Sequence, residues 1–176
     1  ITKKIGLKNI INLANSFGLG YKQEFKEFPS LAIGSYGDSL LNITNAYSAI
    51  NNNGMIQSPE ILEKIESSKK QPIWENKSIS KKILDLKINK KINKLLEKSV
   101  QEGTSKAASI KGKKIYGKTG TSDGNKDLWF IGSIDNLTTG IWIGYDDNKE
   151  SELSSGNAAY LWKKFISEIY KIPIKK

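Results

Sequence analysis

The stretch GKKIYGKTGTSDG, residues 112–124, decides how this chain is read. From Gly112 it spells G-x-x-x-x-G-K-T, a phosphate-cradling loop. From Lys118 it spells K-T-G-T, a pattern that belongs inside an extended strand. A phosphate loop needs a buried strand ending at its first Gly and a helix opening at G-K-[ST], so that helix N–H groups face the anion. The flanks supply neither. SKAASIK, residues 105–111, is too polar and too short for a central parallel strand. Ile115 and Tyr116 are strand formers placed where the loop should be flexible, and Gly120 with SDGN, 122–125, breaks a helix. A strand through the motif followed by a turn is what these residues spell.

Each residue type then acquires a chemical reason. Two-residue alternation sends Lys118 and Gly120 to one face of the strand, Thr119 and Thr121 to the other. Facing a cleft, the Lys118 ammonium supplies positive potential for an anionic substrate and joins a proton relay with a nearby hydroxyl. Gly120 leaves room for a peptide to approach the backbone, and an edge strand holds such a peptide by strand addition. The Thr121 N–H is a candidate oxyanion donor, a fixed dipole of a kind that contributes roughly 3 kcal/mol. The Thr119 and Thr121 hydroxyls are candidates for a terminal carboxylate, at a twist or bulge where strict alternation relaxes.

The remaining sequence limits the chemistry available. The chain has 176 residues, with no Cys and no His. Thiol nucleophiles, Ser-His-Asp triads, disulfides and zinc sites with nitrogen or sulfur ligands are therefore excluded within it. Any acyl transfer must use Lys, a carboxylate or a hydroxyl as base. The net charge is +10, but the lysines are spread along the chain without interleaved aromatics, which argues against nucleic acid. No apolar run reaches membrane-spanning length, and no signal segment opens the chain. It reads as an interior or C-terminal piece of a longer protein, with any anchor or export signal expected upstream.

Periodicity predicts a helix over 5–17, with Ile10, Ile11, Ala14 and Phe17 on one face and Gly18 as its stop. A loop containing PSLAIGSYG, 29–37, leads to a helix over 39–51 capped by Asp38 or Ser39. Residues 59–80 suggest two short extended pieces around a polar turn. A third helix is expected over 87–102, with Ile88, Ile92, Leu95, Leu96 and Ser99/Val100 inward. IYGKTGT, LWFIGSI and TTGIWIGYD then predict three adjacent antiparallel strands. Trp129, Phe130, Trp142 and Tyr145 are assigned to sheet packing, and Asp127 to the turn before LWF. A closing helix, 156–169, is expected to turn Ala158, Leu161, Trp162, Phe165 and Ile169 inward, with Ser154 or Ser155 as cap. Helices, a meander and a final helix define an α+β fold, an antiparallel sheet packed with helices. The expected divisions are a helical part (1–58), an extended insertion (59–86), a helix (87–103), the K-T-G-T meander (112–146) and the C-terminal helix (154–170).

The segment GKTGTSDGNKDLWFIGSIDNLTTGIWIGYDDN, 117–148, resembles the end of the transpeptidase domain of class A, bifunctional penicillin-binding proteins. K-T-G is the third element of that motif set. SSGNAAYLWKKF, FPSLAIGS, NNNG and EGTSKAA resemble the family as well, so the likeness covers most of the chain. It implies a partial serine β-lactamase/penicillin-binding transpeptidase fold. The implied reaction is D-Ala-D-Ala acyl transfer in peptidoglycan crosslinking, on the outer face of the bacterial plasma membrane or in the periplasm. The implied partners are stem peptides, with β-lactams as substrate-like inhibitors. No cofactor and no metal are implied. Lys118 is expected to be catalytic, and Thr119, Gly120 and Thr121 to bind substrate.

The family acylates a serine in S-x-x-K, assisted by S-x-N, and both precede K-T-G. Residues 1–20 resemble the segment after S-x-N, so the nucleophile is expected upstream of Ile1 and the isolated chain is expected to be inactive. Ser67–Lys70 and Ser78–Lys81 fit S-x-x-K only by chance in polar, Lys-rich sequence, and Ser155–Asn157 fits S-x-N but reads as a helix start. The alternatives are a non-catalytic wall- or partner-binding module with a degenerate transpeptidase fold, and part of a serine β-lactamase.

Overall fold

In the computed structural model, which describes residues 2–20 and 28–173, the motif lies in a three-stranded antiparallel sheet. Its strands are β5 (Ile115–Thr121), β6 (Asp127–Ile134) and β7 (Leu137–Gly144), in that spatial order. Lys118 stands opposite Ile131, Gly120 opposite Trp129, and Trp129 opposite Trp142. The β5–β6 turn is tightened by Gly124 and Asn125, both with positive φ. Lys118 to Thr121 therefore continue a strand and open no helix, which removes the phosphate-loop geometry.

Two short helices, α1 (Thr2–Ile5) and α2 (Leu7–Ser16), open the described chain, followed by α3 (Leu40–Asn51). The single helix expected over 5–17 is broken at Gly6, whose φ is 85°. Gly18 does end α2, with the Leu19 N–H donating to the Ala14 carbonyl. The loop expected after Gly18 lies partly outside the described residues. Ser39 caps α3 by accepting the Asn42 N–H at 3.1 Å. The expected extended pieces form a hairpin of β2 (Lys64–Glu66) and β3 (Pro72–Glu75), exposed throughout. At its base β1 (Met55–Ile56) pairs with β4 (Lys81–Lys82).

Helices α4 (Leu86–Glu102) and α5 (Ser155–Ile169) complete the fold. One face of the sheet packs Phe130, Ile134 and Ile115 against Ala158, Ala159, Trp162 and Ile166 of α5, with Val100 of α4 joining the cluster. Phe130 and Trp162 meet edge to face at 5.3 Å, a geometry that adds about 0.5–1.5 kcal/mol beyond area burial. Gly132 makes this approach possible: a Cβ there would lie 2.6 Å from Phe130 and 2.7 Å from Trp162. On the opposite face α3 comes just as close, because a Cβ at Gly140 would collide with Thr44 and Leu40.

The helix faces differ from the periodic expectation in two places. On α5 the buried set is Ala158, Ala159, Trp162, Ile166 and Ser167, while Leu161, Phe165 and Ile169 are exposed. Tryptophan is the larger anchor and Gly132 offers it a socket, so the helix rolls toward it. On α4, Ile88 and Leu95 are exposed and Asn89 is fully buried. The Asn89 side-chain amide donates to the Ile50 carbonyl at the end of α3, 2.9 Å away. The Asn93 side-chain amide donates to the same carbonyl at 3.4 Å, so two amides satisfy this helix-end group and outweigh the apolar stripe. Among the aromatic assignments, Phe130 is core, Trp142 is at the surface and Tyr145 is exposed beyond the end of β7.

Two expectations follow. Gly132→Ala forces Trp162 or Phe130 aside and lowers stability by about 1–3 kcal/mol in urea unfolding. Burial raises the Tyr47 phenol above its ordinary value of 10.0, so the neutral form is favoured in the fold. That contribution is full below pH 10.0 and is lost as pH rises through the higher folded value. Tyr47→Phe is therefore expected to lose less stability than the wild type between neutral and strongly alkaline pH, read by thermal melts.

Candidate active site

β5 is an edge strand, and the direction of its backbone groups follows from two hydrogen bonds. The Ser122 N–H donates to the Asp127 carbonyl on β6 at 3.0 Å, whereas the Thr119 N–H donates away from the sheet to Ser105 Oγ at 3.2 Å. In an antiparallel strand N–H and C=O of one residue share a side, and successive residues alternate. The N–H and C=O of Thr121 therefore point to the open edge, alongside those of Thr119. An outward N–H at the strand's end is the geometry an oxyanion donor needs.

Lys118 lies on the other face and is exposed. Its Nζ donates to the Thr119 carbonyl at 2.9 Å and lies 3.5 Å from Thr119 Oγ1. The ammonium thus curls to the same open edge and puts positive charge there. Gly120, half-buried, faces Trp129, where a Cβ would meet the Trp129 Cβ at 3.3 Å. Thr121 is exposed.

Thr119 is placed differently from Thr121. Its side chain is only 8% exposed, and its hydroxyl is 2.8 Å from that of Thr104. The β5–β6 register runs without a shift from Ile115 to Thr121, so no bulge turns this hydroxyl outward. Its place is to hold the strand from behind, leaving the exposed Thr121 hydroxyl as the one near the open edge.

The turn after β5 is locked by Asp127. The Ser122 hydroxyl donates to Asp127 Oδ2 at 2.9 Å, and the Asp127 N–H donates back to Ser122 Oγ at 2.8 Å. Asp127 Oδ1 also accepts the Trp142 indole N–H at 3.0 Å. The assignment of Asp127 to the turn holds, and one carboxylate ties three residues on three segments.

The chance motifs stay apart from this site. Ser67 accepts the Gln71 N–H in the β2–β3 turn, where Lys70 has φ 58°. The Ser78 hydroxyl accepts a hydrogen bond from the Gln57 side-chain amide. Neither serine starts a helix. Asn157 belongs to the capping box of α5 with Ser154. Thr104, Ser105 and Ser99 were not singled out as site residues. They are small hydroxyl residues at a helix end, a signal any polar loop gives.

The shape of the chain has close counterparts among solved structures. Penicillin-binding protein 1A from Haemophilus influenzae aligns over 99% of this chain and 33% of its own, with a TM-score of 0.80 at 19% identity. Penicillin-binding protein A from M. tuberculosis, solved as an imipenem acyl-enzyme complex, aligns over 93% and 43%, with a TM-score of 0.75 at 16% identity. The fold is that of penicillin-binding transpeptidase domains. Residues 1–164 match the family described as penicillin binding protein transpeptidase domain, and the chain belongs to that family. Curated relatives include penicillin-binding protein 1A of Aquifex aeolicus, 31% identical over 83% of this chain, and that of Rickettsia prowazekii, 32% identical over 85%. The chain spans only 20% and 22% of the lengths of these two relatives.

Asp127→Ala is expected to cost about 1.5–3 kcal/mol, since hydrogen bonds to a charged acceptor are lost together. Released from that acceptor, Trp142 should become more solvated, read as a red-shifted tryptophan emission alongside a lower unfolding midpoint.

Proposed function

We propose that this chain supplies the substrate-docking wall of a serine-type D-Ala-D-Ala transpeptidase active site in peptidoglycan crosslinking. The observation that carries this reading is the open edge of β5, which the Lys118 ammonium and the outward Thr121 N–H share. A serine contributed by another part of the whole protein attacks the carbonyl between the two D-alanines. The carbonyl oxygen gathers negative charge, which the Thr121 N–H stabilises. The terminal D-Ala leaves with a proton, and an amine of a neighbouring stem peptide captures the acyl group. Lys118 acts as the catalytic cation and proton-relay partner. The Thr121 hydroxyl meets the terminal carboxylate, Gly120 keeps the approach clear, and Thr119 buttresses the strand.

β-Lactams fit the same wall, because a strained amide beside a carboxylate presents the same two features to the edge. Support comes from a structural neighbour, penicillin-binding protein 3 from Mycobacterium tuberculosis, solved with aztreonam and with ampicillin. A wall-crosslinking role places the parent on the outer face of the bacterial plasma membrane. Among the described residues no helix is long and apolar enough to cross a membrane.

The test uses a fluorescent penicillin and a denaturing gel. The full-length protein is expected to form a covalent adduct, and Lys118→Ala to slow its formation at least about 10²-fold. Residues 1–176 alone are expected to form none. A stable adduct on the isolated chain would place the nucleophile within it and overturn the division of labour.

A further inference from the structure

Both edge-facing backbone groups of Thr119 are occupied by side chains of this chain. Its N–H donates to Ser105 Oγ at 3.2 Å, and its carbonyl accepts from Lys118 Nζ at 2.9 Å. The two occupants differ in kind. Lys118 is exposed and carries its ammonium on a flexible stem. Ser105 is 0% exposed, and its hydroxyl lies 2.9 Å from that of Ser99 in the last turn of α4. Thr104 adds a second hydroxyl contact to Thr119, at 2.8 Å. Two residues along, Thr121 faces the same edge, with no such side-chain partner among the described residues.

We propose that Ser105, with Thr104, is a positioning pair that closes the edge of β5 at Thr119 and so fixes the register in which an extended acyl donor pairs with the strand. This rests on the function proposed above.

The physical reason is the repeat of an edge strand. Its outward groups recur every second residue, about 6.8 Å apart. A peptide seeking an N–H and a C=O would find equivalent partners at Thr119 and at Thr121 unless one set is taken. In the wrong register its scissile carbonyl sits about 6.8 Å from the Thr121 N–H, far outside any reactive geometry. With the Thr119 N–H taken by Ser105, a peptide carbonyl finds no free backbone donor there. Only the Thr121 pairing remains, and that is the productive one.

Ser105→Ala in the full-length protein reopens the Thr119 N–H. An added unproductive register holds substrate without reacting, so kcat and KM for an extended acyl-D-Ala-D-Ala peptide are expected to fall together, by about tenfold, with kcat/KM nearly unchanged. A small bicyclic penicillin has no extended chain to misplace and should acylate the variant at the wild-type rate. Ser99→Ala keeps the acceptor on Thr119 and should leave both constants unchanged. A fall in kcat/KM matching the fall in kcat, or slowed penicillin acylation, means a merely loosened strand and overturns the register role. Amide hydrogen exchange on the wild-type protein needs no substitution: Thr119 is expected to exchange at least about tenfold more slowly than Thr121. Equal rates overturn the closure. A wild-type protein that forms no penicillin adduct overturns the functional reading and this inference with it, whereas adduct formation with unchanged constants in Ser105→Ala overturns this inference alone.

Discussion

An edge strand must be held rigid and yet leave part of its backbone unpaired, and the structure around β5 is organised by that conflict. Inward, the strand has a full antiparallel ladder to β6 over Ile115–Thr121. Outward, the Ser105 hydroxyl takes the place of a neighbouring strand at the Thr119 N–H, while Thr104 holds the Thr119 hydroxyl. What remains open is the end that carries Thr121. Unpaired strand edges invite indiscriminate pairing, and here the opening is confined to a short length with a lysine beside it.

The rigidity originates two layers away. Trp162 of α5 sits against Gly132 and edge-on to Phe130, and α3 lies against Gly140 on the other face. The two glycines fall on successive strands and opposite faces, so each admits one helix to backbone contact. Phe130 is the cross-strand partner of Thr119. The clamp from α5 thereby reaches the motif through Phe130. Asp127 does the corresponding work at the far end, holding Ser122 and Trp142 so that the turn after Thr121 keeps its direction.

The fold was largely legible because its strands alternate cleanly and its breakers are strong. IYGKTGT, SDGN and the DN turn place three strands with little freedom, and Ser39 and Ser154 mark helix starts that the structure bears out. Helix rotation was less legible. Leu161, Phe165 and Ile169 are as apolar as Ala158 and Ile166, and periodicity alone cannot choose between stripes that differ by a fraction of a turn. Asn89 gave no signal as a buried residue, because its reason for burial is the Ile50 carbonyl, 39 residues earlier.

The site divides along the same line. Local propensity is enough to put Lys118, Gly120 and Thr121 on a strand ending in a turn, since β-formers before the motif and helix breakers after it allow little else. Composition is enough to show that chemistry through Cys or His is absent from this chain. Which edge of that strand is open, and which hydroxyl stays inside, came from long-range packing. Those facts depend on Ser105 and Thr104 being brought across 14 and 15 residues of chain to meet Thr119. Local propensity carries no information about which donor a distant hydroxyl will meet. Packing does, because the end of α4 has one place to lie once Val100 joins the core.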